Sequence, residues 1–219
     1  RAAEQAGRRL FYPVDPTETS AQIGGTVATN ASGARTFHYG ATRRWVEALT
    51  VVLASGEVLM LRRGEAQADT GRFVLRDADG TEQIVELPDL AMPPTKHTAG
   101  YYLRPDMDAV DLFVGGEGTL GIVVEAELRL TFEPPERLFL TAFLPSEEAA
   151  LELVRETRAT RQWTALALEY IGPNALDLLR EKRREEGASS DVPPLDEAAR
   201  CALYVEMAFE GDDELRAHY

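Results

Sequence analysis

Cysteine is nearly absent from this chain of 219 residues, which has only Cys201. One cysteine excludes an intrachain disulfide framework and fits a reducing compartment. Cys201 opens the apolar run Cys201-Ala202-Leu203-Tyr204-Val205, so a packed thiol is expected rather than a reactive one. Histidine is scarce too. His38, His97 and His218 are the only three, and no two stand at metal-ligand spacing, so no metal site is expected. No apolar run approaches the roughly 18 residues of a membrane span, and no signal-peptide pattern opens the chain. A cytoplasmic protein is the expectation. Positive charge is also short: 23 Lys and Arg stand against 37 Asp and Glu, a formal charge of −14. That balance keeps a protein soluble and argues against nucleic acid or an anionic membrane as partner. The hydrophobic content of 44% is ordinary for a globular protein, and the length suits one large or two small domains.

What the chain does have is glycine in two clusters. The first is Phe113-Val114-Gly115-Gly116-Glu117-Gly118-Thr119-Leu120-Gly121-Ile122. Leu112 to Val114 before it and Ile122 to Leu128 after it read as strands, since Val and Ile dominate and apolar residues alternate with acidic ones. A glycine loop between strands suits backbone recognition of a nucleotide, though a plain tight turn reads the same way. The second cluster lies upstream, at Gln22-Ile23-Gly24-Gly25-Thr26-Val27-Ala28-Thr29-Asn30-Ala31-Ser32-Gly33. Its small residues form a loop on which something flat can lie, and free N–H groups there can hold a pyrophosphate without Lys or Arg. The spacing is not G-x-G-x-x-G and no P-loop lysine follows. A nicotinamide Rossmann site is disfavoured because neither cluster is expected to open a helix.

Several blocks in order carry a resemblance. Pro13-Val14-Asp15-Pro16, Ile23-Gly24-Gly25, Asn30-Ala31-Ser32-Gly33, Tyr39-Gly40-Ala41-Thr42-Arg43 and Val51 to Gly56 look like the FAD-binding domain of the vanillyl-alcohol oxidase / p-cresol methylhydroxylase (PCMH) superfamily. Lys96-His97-Thr98-Ala99-Gly100-Tyr101 and Glu117-Gly118-Thr119-Leu120-Gly121-Ile122 resemble the end of the same domain. The likeness is greatest to D-lactate dehydrogenases and the flavin subunit of glycolate oxidase, strong over residues 10 to 131 and looser beyond. The implied fold class is α+β: the second half of a PCMH-type FAD-binding domain, a mixed or antiparallel sheet with helices, followed by the start of an α+β cap. The implied cofactor is FAD. Its implied contacts are Ile23, Gly24, Gly25, Ala28, Thr29, Asn30, Ser32, Gly33, Tyr39, Gly40, Glu117, Gly118, Gly121, Ile122 and Val123. Of these, residues 23 to 25 and 28 to 33 would line the pyrophosphate and flavin, and 117 to 123 the adenosine.

The domain boundary is expected at Pro134-Pro135, giving 1–133 to FAD binding and 134–219 to an incomplete cap. Within the first part, Val46 to Ala54 and Glu57 to Leu61 read as a hairpin across a two-residue Ser55-Gly56 turn. Phe73-Val74-Leu75 and Ile84 to Leu87 read as a second hairpin, an insertion of about residues 65–95 and a surface elaboration. Beyond the boundary the pattern is βαβαβ. Leu138 to Leu144, Thr164 to Ile171 and Cys201 to Phe209 are the strands. A helix capped by Ser146 and another starting at Pro173 and stopping at Gly187 lie between them. The charges of Arg180 to Glu186 read as a solvated helix face. The chain opens on Arg1, and residues 1 to 9 read as the tail of a helix. The subdomain that carries a further pyrophosphate loop in such flavoenzymes, and the cap's His-x-His, are not in these residues. An internal fragment is therefore expected, with Ile23, Val27 and the glycine loops more exposed than in an intact enzyme and FAD held weakly or not at all by this piece alone.

The resemblance implies two-electron oxidation of a D-2-hydroxy acid such as lactate or glycolate, with an unknown electron acceptor and no catalytic residue within this chain. The alternatives are another flavoenzyme of the fold, such as alkylglycerone phosphate synthase or a sugar-lactone oxidase, or a non-catalytic flavin-fold scaffold. Single residues keep two readings. His38 is a site of covalent flavin attachment or a loop residue, and His97 approaches the flavin or is solvated. Arg43 neutralises a phosphate or makes an ion pair, and Glu117 bonds a ribose or caps the glycine loop.

Overall fold

The computed structural model describes residues 9–76, 79–160 and 163–209. The helix tail read at the start of the chain lies outside them, except for Arg9, and so does His218. The chain separates into two compact units, one of Arg9–Gly33 with Tyr39–Phe132, the other of Ala34–His38 with the residues from Glu133 onward.

The first unit is built on an antiparallel sheet. Strand β1 (Leu10–Phe11) pairs with β7 (Thr131–Phe132), and β2 (Val46–Val52) lies between β3 (Val58–Arg62) and β6 (Ile122–Leu128). Leu49 and Val51 of β2 are buried, as are Leu59 and Leu61 of β3, the period-two pattern of a sheet with one packed face. Val46 is buried too, out of that phase because the register shifts between Val46 and Ala48. The turn from β2 to β3 holds three residues rather than two. Leu53 N donates to Glu57 O at 2.9 Å and Gly56 N to Leu53 O at 2.9 Å, with Gly56 at φ +89°. This is a type I turn closed by a left-handed glycine.

The second hairpin forms as β4 (Arg72–Arg76) and β5 (Glu82–Glu86), but it is more than a surface elaboration. Phe73 is fully buried and Leu75 nearly so, both in the main core with Val46, Val51 and Val110. The opposite face, with Val74 and Ile84, meets solvent.

Two local readings are overturned. The Ile23 block is not a loop: α1 (Ile23–Ala28) is a one-and-a-half-turn helix, so a glycine cluster does open a helix here. Leu112 and Phe113 are not in a strand but close α3 (Ala109–Phe113). Asp108 caps it by accepting from Val110 N at 2.9 Å, and Asp111 adds a carboxylate to the first turn, where the dipole favours it. The cap decided the conformation against the β propensity of a short apolar run. Between these helices lies the short α2 (Thr36–Tyr39).

In the second unit, β8 (Glu136–Leu144), β9 (Thr164–Ile171) and β10 (Cys201–Phe209) form an antiparallel sheet with β10 in the centre. Leu203, Val205, Met207 and Phe209 pack with Leu138, Leu144 and Leu168 and with Leu153 and Val154 of α4 (Glu147–Ala159). Ser146 caps α4, accepting from Ala149 N at 3.3 Å. Leu176 of α5 (Pro173–Glu186) packs against Ala199 and Ala202. The helix stops at Gly187, φ +60°. Its charged end is not merely solvated: Arg180 donates to Asp196 O and Ala199 O, both at 2.7 Å, and Arg183 donates to Val192 O. These bonds hold the 191–199 segment. Cys201 is fully buried with its Sγ 3.2 Å from Ser146 O, a packed thiol whose pKa burial pushes up. Glu206, in mid-strand, is buried and held by Arg35 Nε at 2.9 and 3.1 Å and by Arg137 at 3.5 Å.

Candidate functional site: a glycine-lined cleft

The two glycine clusters meet in the first unit. Gly115 N donates to Val27 O at 3.0 Å and Glu117 N to Ala28 O at 2.9 Å, so the loop after α3 is stitched along α1. Val27 is the buried foundation, with no exposed surface, while Ile23 stands 46% exposed. Val27 is the α1 residue turned into the core, so it is not left exposed. Between the clusters runs a cleft of about 290 Å3. Seven of the expected residues line it: Gly24, Gly25, Ala28, Gly118, Gly121, Ile122 and Val123. Phe113, Gly116 and Leu120 line it as well. Gly116 and Leu120 stood inside the glycine block, but reading α3 as a strand hid Phe113.

The glycines serve different ends. A Cβ on Gly121 would lie 2.7 Å from Val51 Cγ1 and 2.9 Å from Val52 O, so this glycine lets the loop close onto β2. Gly24 and Gly25 have no such reason: a Cβ on either meets nothing within 4 Å, and neither has a positive φ. Glycine inside a helix costs about 0.5–1 kcal/mol relative to alanine. Two in succession, with no neighbour that requires them, leave space for a guest. The N–H groups of Ile23, Gly24 and Gly25 stand in the first turn of α1, where a helix offers them no acceptor, and Gln22 makes no side-chain cap bond. An acceptor-rich group laid on this turn would satisfy them. FAD fits such a cradle: it has the phosphate oxygens the N–H groups lack, and a flat body suited to a wall of glycine and alanine. The volume suits part of the cofactor.

The other expected residues lie around the cleft rather than in it. Thr29 is exposed, and its hydroxyl donates back to Gly25 O at 2.9 Å. Asn30 takes a left-handed backbone, φ +48°, and its Oδ1 accepts from Arg43 N at 2.9 Å, which fixes the turn out of α1. Ser32 is half-buried in that turn. Gly33 bridges to Pro16, and a Cβ there would lie 1.7 Å from Asp15 O. Its role is close approach of two backbones. Tyr39 is buried, edge-on to Phe11 and Trp45 at 5.9 and 6.1 Å. Gly40 turns the chain at φ +77°, and Glu117 sits at φ +50° within the glycine loop.

Arg43 neither reaches the cleft nor makes a surface pair. It donates to Asp111 O and Val114 O at the end of α3, lies 4.5 Å over the Tyr102 ring and stands 3.6 Å from the Asp111 carboxylate. Burial holds its pKa below the usual arginine value, with Asp111 opposing. The Lys96–Tyr101 block is tied to the glycine loop by Tyr101, whose hydroxyl is 2.6 Å from Thr119 Oγ1; Thr119 in turn donates to Gly116 O at 2.5 Å.

Residues 1–62 match the family described as FAD binding domain. A D-2-hydroxyglutarate dehydrogenase of Xanthomonas citri pv. viticola is 36% identical over 177 residues, 80% of this chain and 29% of that protein. Glycolate oxidase subunit GlcD of Bacillus subtilis is 34% identical over 208 residues, 94% of this chain and 34% of its own length. A D-lactate dehydrogenase of Anaerostipes hadrus is 29% identical over 218 residues, 97% and 36% of the two chains. The chain thus spans about a third of the length of the curated relatives it matches. Among solved structures, an alkyldihydroxyacetonephosphate synthase superposes with a TM-score of 0.56 at 18% identity, covering 98% of this chain and 33% of that one. That likeness shows the fold. The start of the chain is thus similar to an FAD binding domain, and most of the chain is similar to these hydroxy-acid dehydrogenases and the glycolate oxidase subunit.

Proposed function

We propose that this chain forms part of the cofactor site of an FAD-linked oxidoreductase acting on the CH–OH group of a D-2-hydroxy acid such as lactate or glycolate. Gly24 and Gly25 carry the reading: two helical glycines that no neighbour requires, facing a cleft shared with the second glycine block. The names of the relatives supply the substrate class. In this reading residues 9–132 hold the cofactor, and the unit from Glu133 begins the cap over the substrate.

The roles of the chain's own residues follow from their positions. The first-turn N–H groups of α1 donate to the pyrophosphate. Ala28, Gly118, Gly121, Ile122 and Val123 form an apolar wall that excludes water from the nucleotide. Asn30, Ser32, Gly33, Tyr39 and Gly40 fix the turn that follows α1, and Thr29 and Glu117 shape the rims. FAD, when bound, supplies the two-electron acceptor. No residue of this chain is assigned as the base that takes the hydroxyl proton. A reducing, cytoplasmic setting agrees with one buried thiol, and no described helix is long and apolar enough to cross a membrane.

The test is the visible spectrum of the intact protein, as purified and after incubation with FAD, followed by anaerobic addition of D-lactate, glycolate or D-2-hydroxyglutarate. Flavin bands that bleach with one of these acids are the expected result. A colourless protein that takes up no FAD would overturn the cofactor reading. Bands that none of the acids bleaches would overturn the substrate class alone.

A further inference from the structure

The first unit carries a second cleft, of about 540 Å3, whose chemistry is opposite to that of the glycine cleft. Arg43, Arg44, Arg63, Lys96, Arg104 and Arg129 line it with one carboxylate, Asp111, in a chain of formal charge −14. Three of these cations are engaged. Arg63 grips Asp111 through bonds of 2.9 and 3.0 Å, Arg43 stands behind the same carboxylate, and Arg129 pairs with Glu47. Among the described residues no carboxylate pairs with Arg44, Lys96 or Arg104. Arg104 lies 5.6 Å over the Tyr102 ring, while Pro93-Pro94 leads into the Lys96-His97 wall with a backbone stiffened at both prolines.

Arg44, Lys96 and Arg104 are solvent-exposed, and unpaired cations gathered around one hollow repel each other, most of all at low salt. A chain with a large surplus of acids had carboxylates to spare for them. Their absence here leaves the cleft's charge for a guest. The kind of anion follows from the donors. A carboxylate offers two coplanar oxygens to one guanidinium fork, as Asp111 does to Arg63. Arg44 instead comes from the turn before β2, and Lys96 and Arg104 from the connection between β5 and α3; a tetrahedral group with several oxygens can accept from donors on different sides. We propose that this cleft binds a small polyanion bearing phosphate groups, held by Arg44, Lys96 and Arg104 at a site separate from the glycine cleft.

The experiment is calorimetric titration of the intact protein, both flavin-loaded and as freed of flavin, with inorganic pyrophosphate as probe and citrate as a polycarboxylate of comparable charge. Saturable binding of pyrophosphate to both forms is expected, tighter than citrate and weakened by salt. Arg44→Gln and Lys96→Gln should each weaken it about tenfold while leaving Tm and the flavin spectrum unchanged. No saturable heat, or equal affinity in both variants, overturns the site. Tighter citrate overturns the phosphate assignment. Binding confined to flavin-free protein would make the cleft a part of the FAD site and overturn its separateness. A protein that takes no flavin at all still decides the question, because pyrophosphate is titrated directly.

Discussion

Replacing Gly24 or Gly25 by alanine sets stability against cofactor binding. Each glycine is helical, without a positive φ, and an added Cβ meets nothing within 4 Å. Alanine there removes backbone freedom from the unfolded chain and clashes with nothing. The flavin-free protein should gain about 0.5–1 kcal/mol per substitution. At this chain length that is a rise in Tm of roughly 1–4 °C. The same methyl group enters the 290 Å3 cleft that both residues line, so FAD affinity should fall by about tenfold or more, the change expected of a group forced into a closely packed contact at a cost of roughly 1–3 kcal/mol. Differential scanning calorimetry of flavin-free protein and quenching of FAD fluorescence on binding read the two effects independently. Gly121→Ala is the contrast: with Val51 Cγ1 at 2.7 Å and Val52 O at 2.9 Å, it should lower Tm with or without flavin. Loss of stability in flavin-free Gly24→Ala and Gly25→Ala would show that these glycines serve internal packing. A gain in stability with unchanged FAD affinity would show that the cofactor lies elsewhere. Either result refutes the reasoning.

Other consequences can be checked by stability measurements. Glu206→Gln leaves Arg35 and Arg137 facing a neutral amide in a site where the Glu206 side chain is only 3% exposed, and denaturant melts should show a loss of about 2–4 kcal/mol. Arg43→Met deprives Asp111 O and Val114 O of their donor and should cost about 2–3 kcal/mol, moving Gly115 and Glu117 and so lowering FAD occupancy. The Cys201 thiol is raised by burial, so its proton is held more tightly in the folded than in the unfolded state. Its contribution is complete below the unfolded thiol value, roughly pH 8.5, and is lost as pH rises from there through the folded value. Cys201→Ala should therefore flatten the alkaline decline in Tm, and an unchanged slope would refute this assignment.

Much of the fold was legible because it rests on local chemistry. Ser146 before two acids, Pro173 at a helix start, Gly187 at its end and the alternation of Leu203, Val205, Met207 and Phe209 each fix an element with near neighbours alone. The errors fell where a distant contact or a cap competes with propensity. Leu112 to Val114 is apolar and ends in a β-branched residue, yet the helix capped by Asp108 takes in its first two residues. Ile23 to Ala28 is rich in glycine, yet Val27 anchors it as a helix in the core. Glycine itself carried an ambiguity that sequence could not remove. Gly33, Gly121 and Gly24 look alike in a motif, and only the surroundings of each missing Cβ separate close backbone approach from space held open. Arg43 is similar: as a letter it fits a phosphate ligand, while its buried position makes it the clamp on α3.

The strand order has a consequence for synthesis on the ribosome. In the sheet of the second unit the last strand, β10, lies in the centre, so β8 and β9 have no shared partner until it emerges. Arg35 waits longer still, since Glu206 follows it by 171 residues. At about 5–20 residues per second, that delay is roughly 10–35 s. The apolar strand Glu136–Leu144 waits the 57 residues from Leu144 to Cys201, roughly 3–11 s at that rate, and Thr164–Ile171 less. Both are then open to wrong pairing, and this is the interval in which a nascent-chain chaperone would find its substrate.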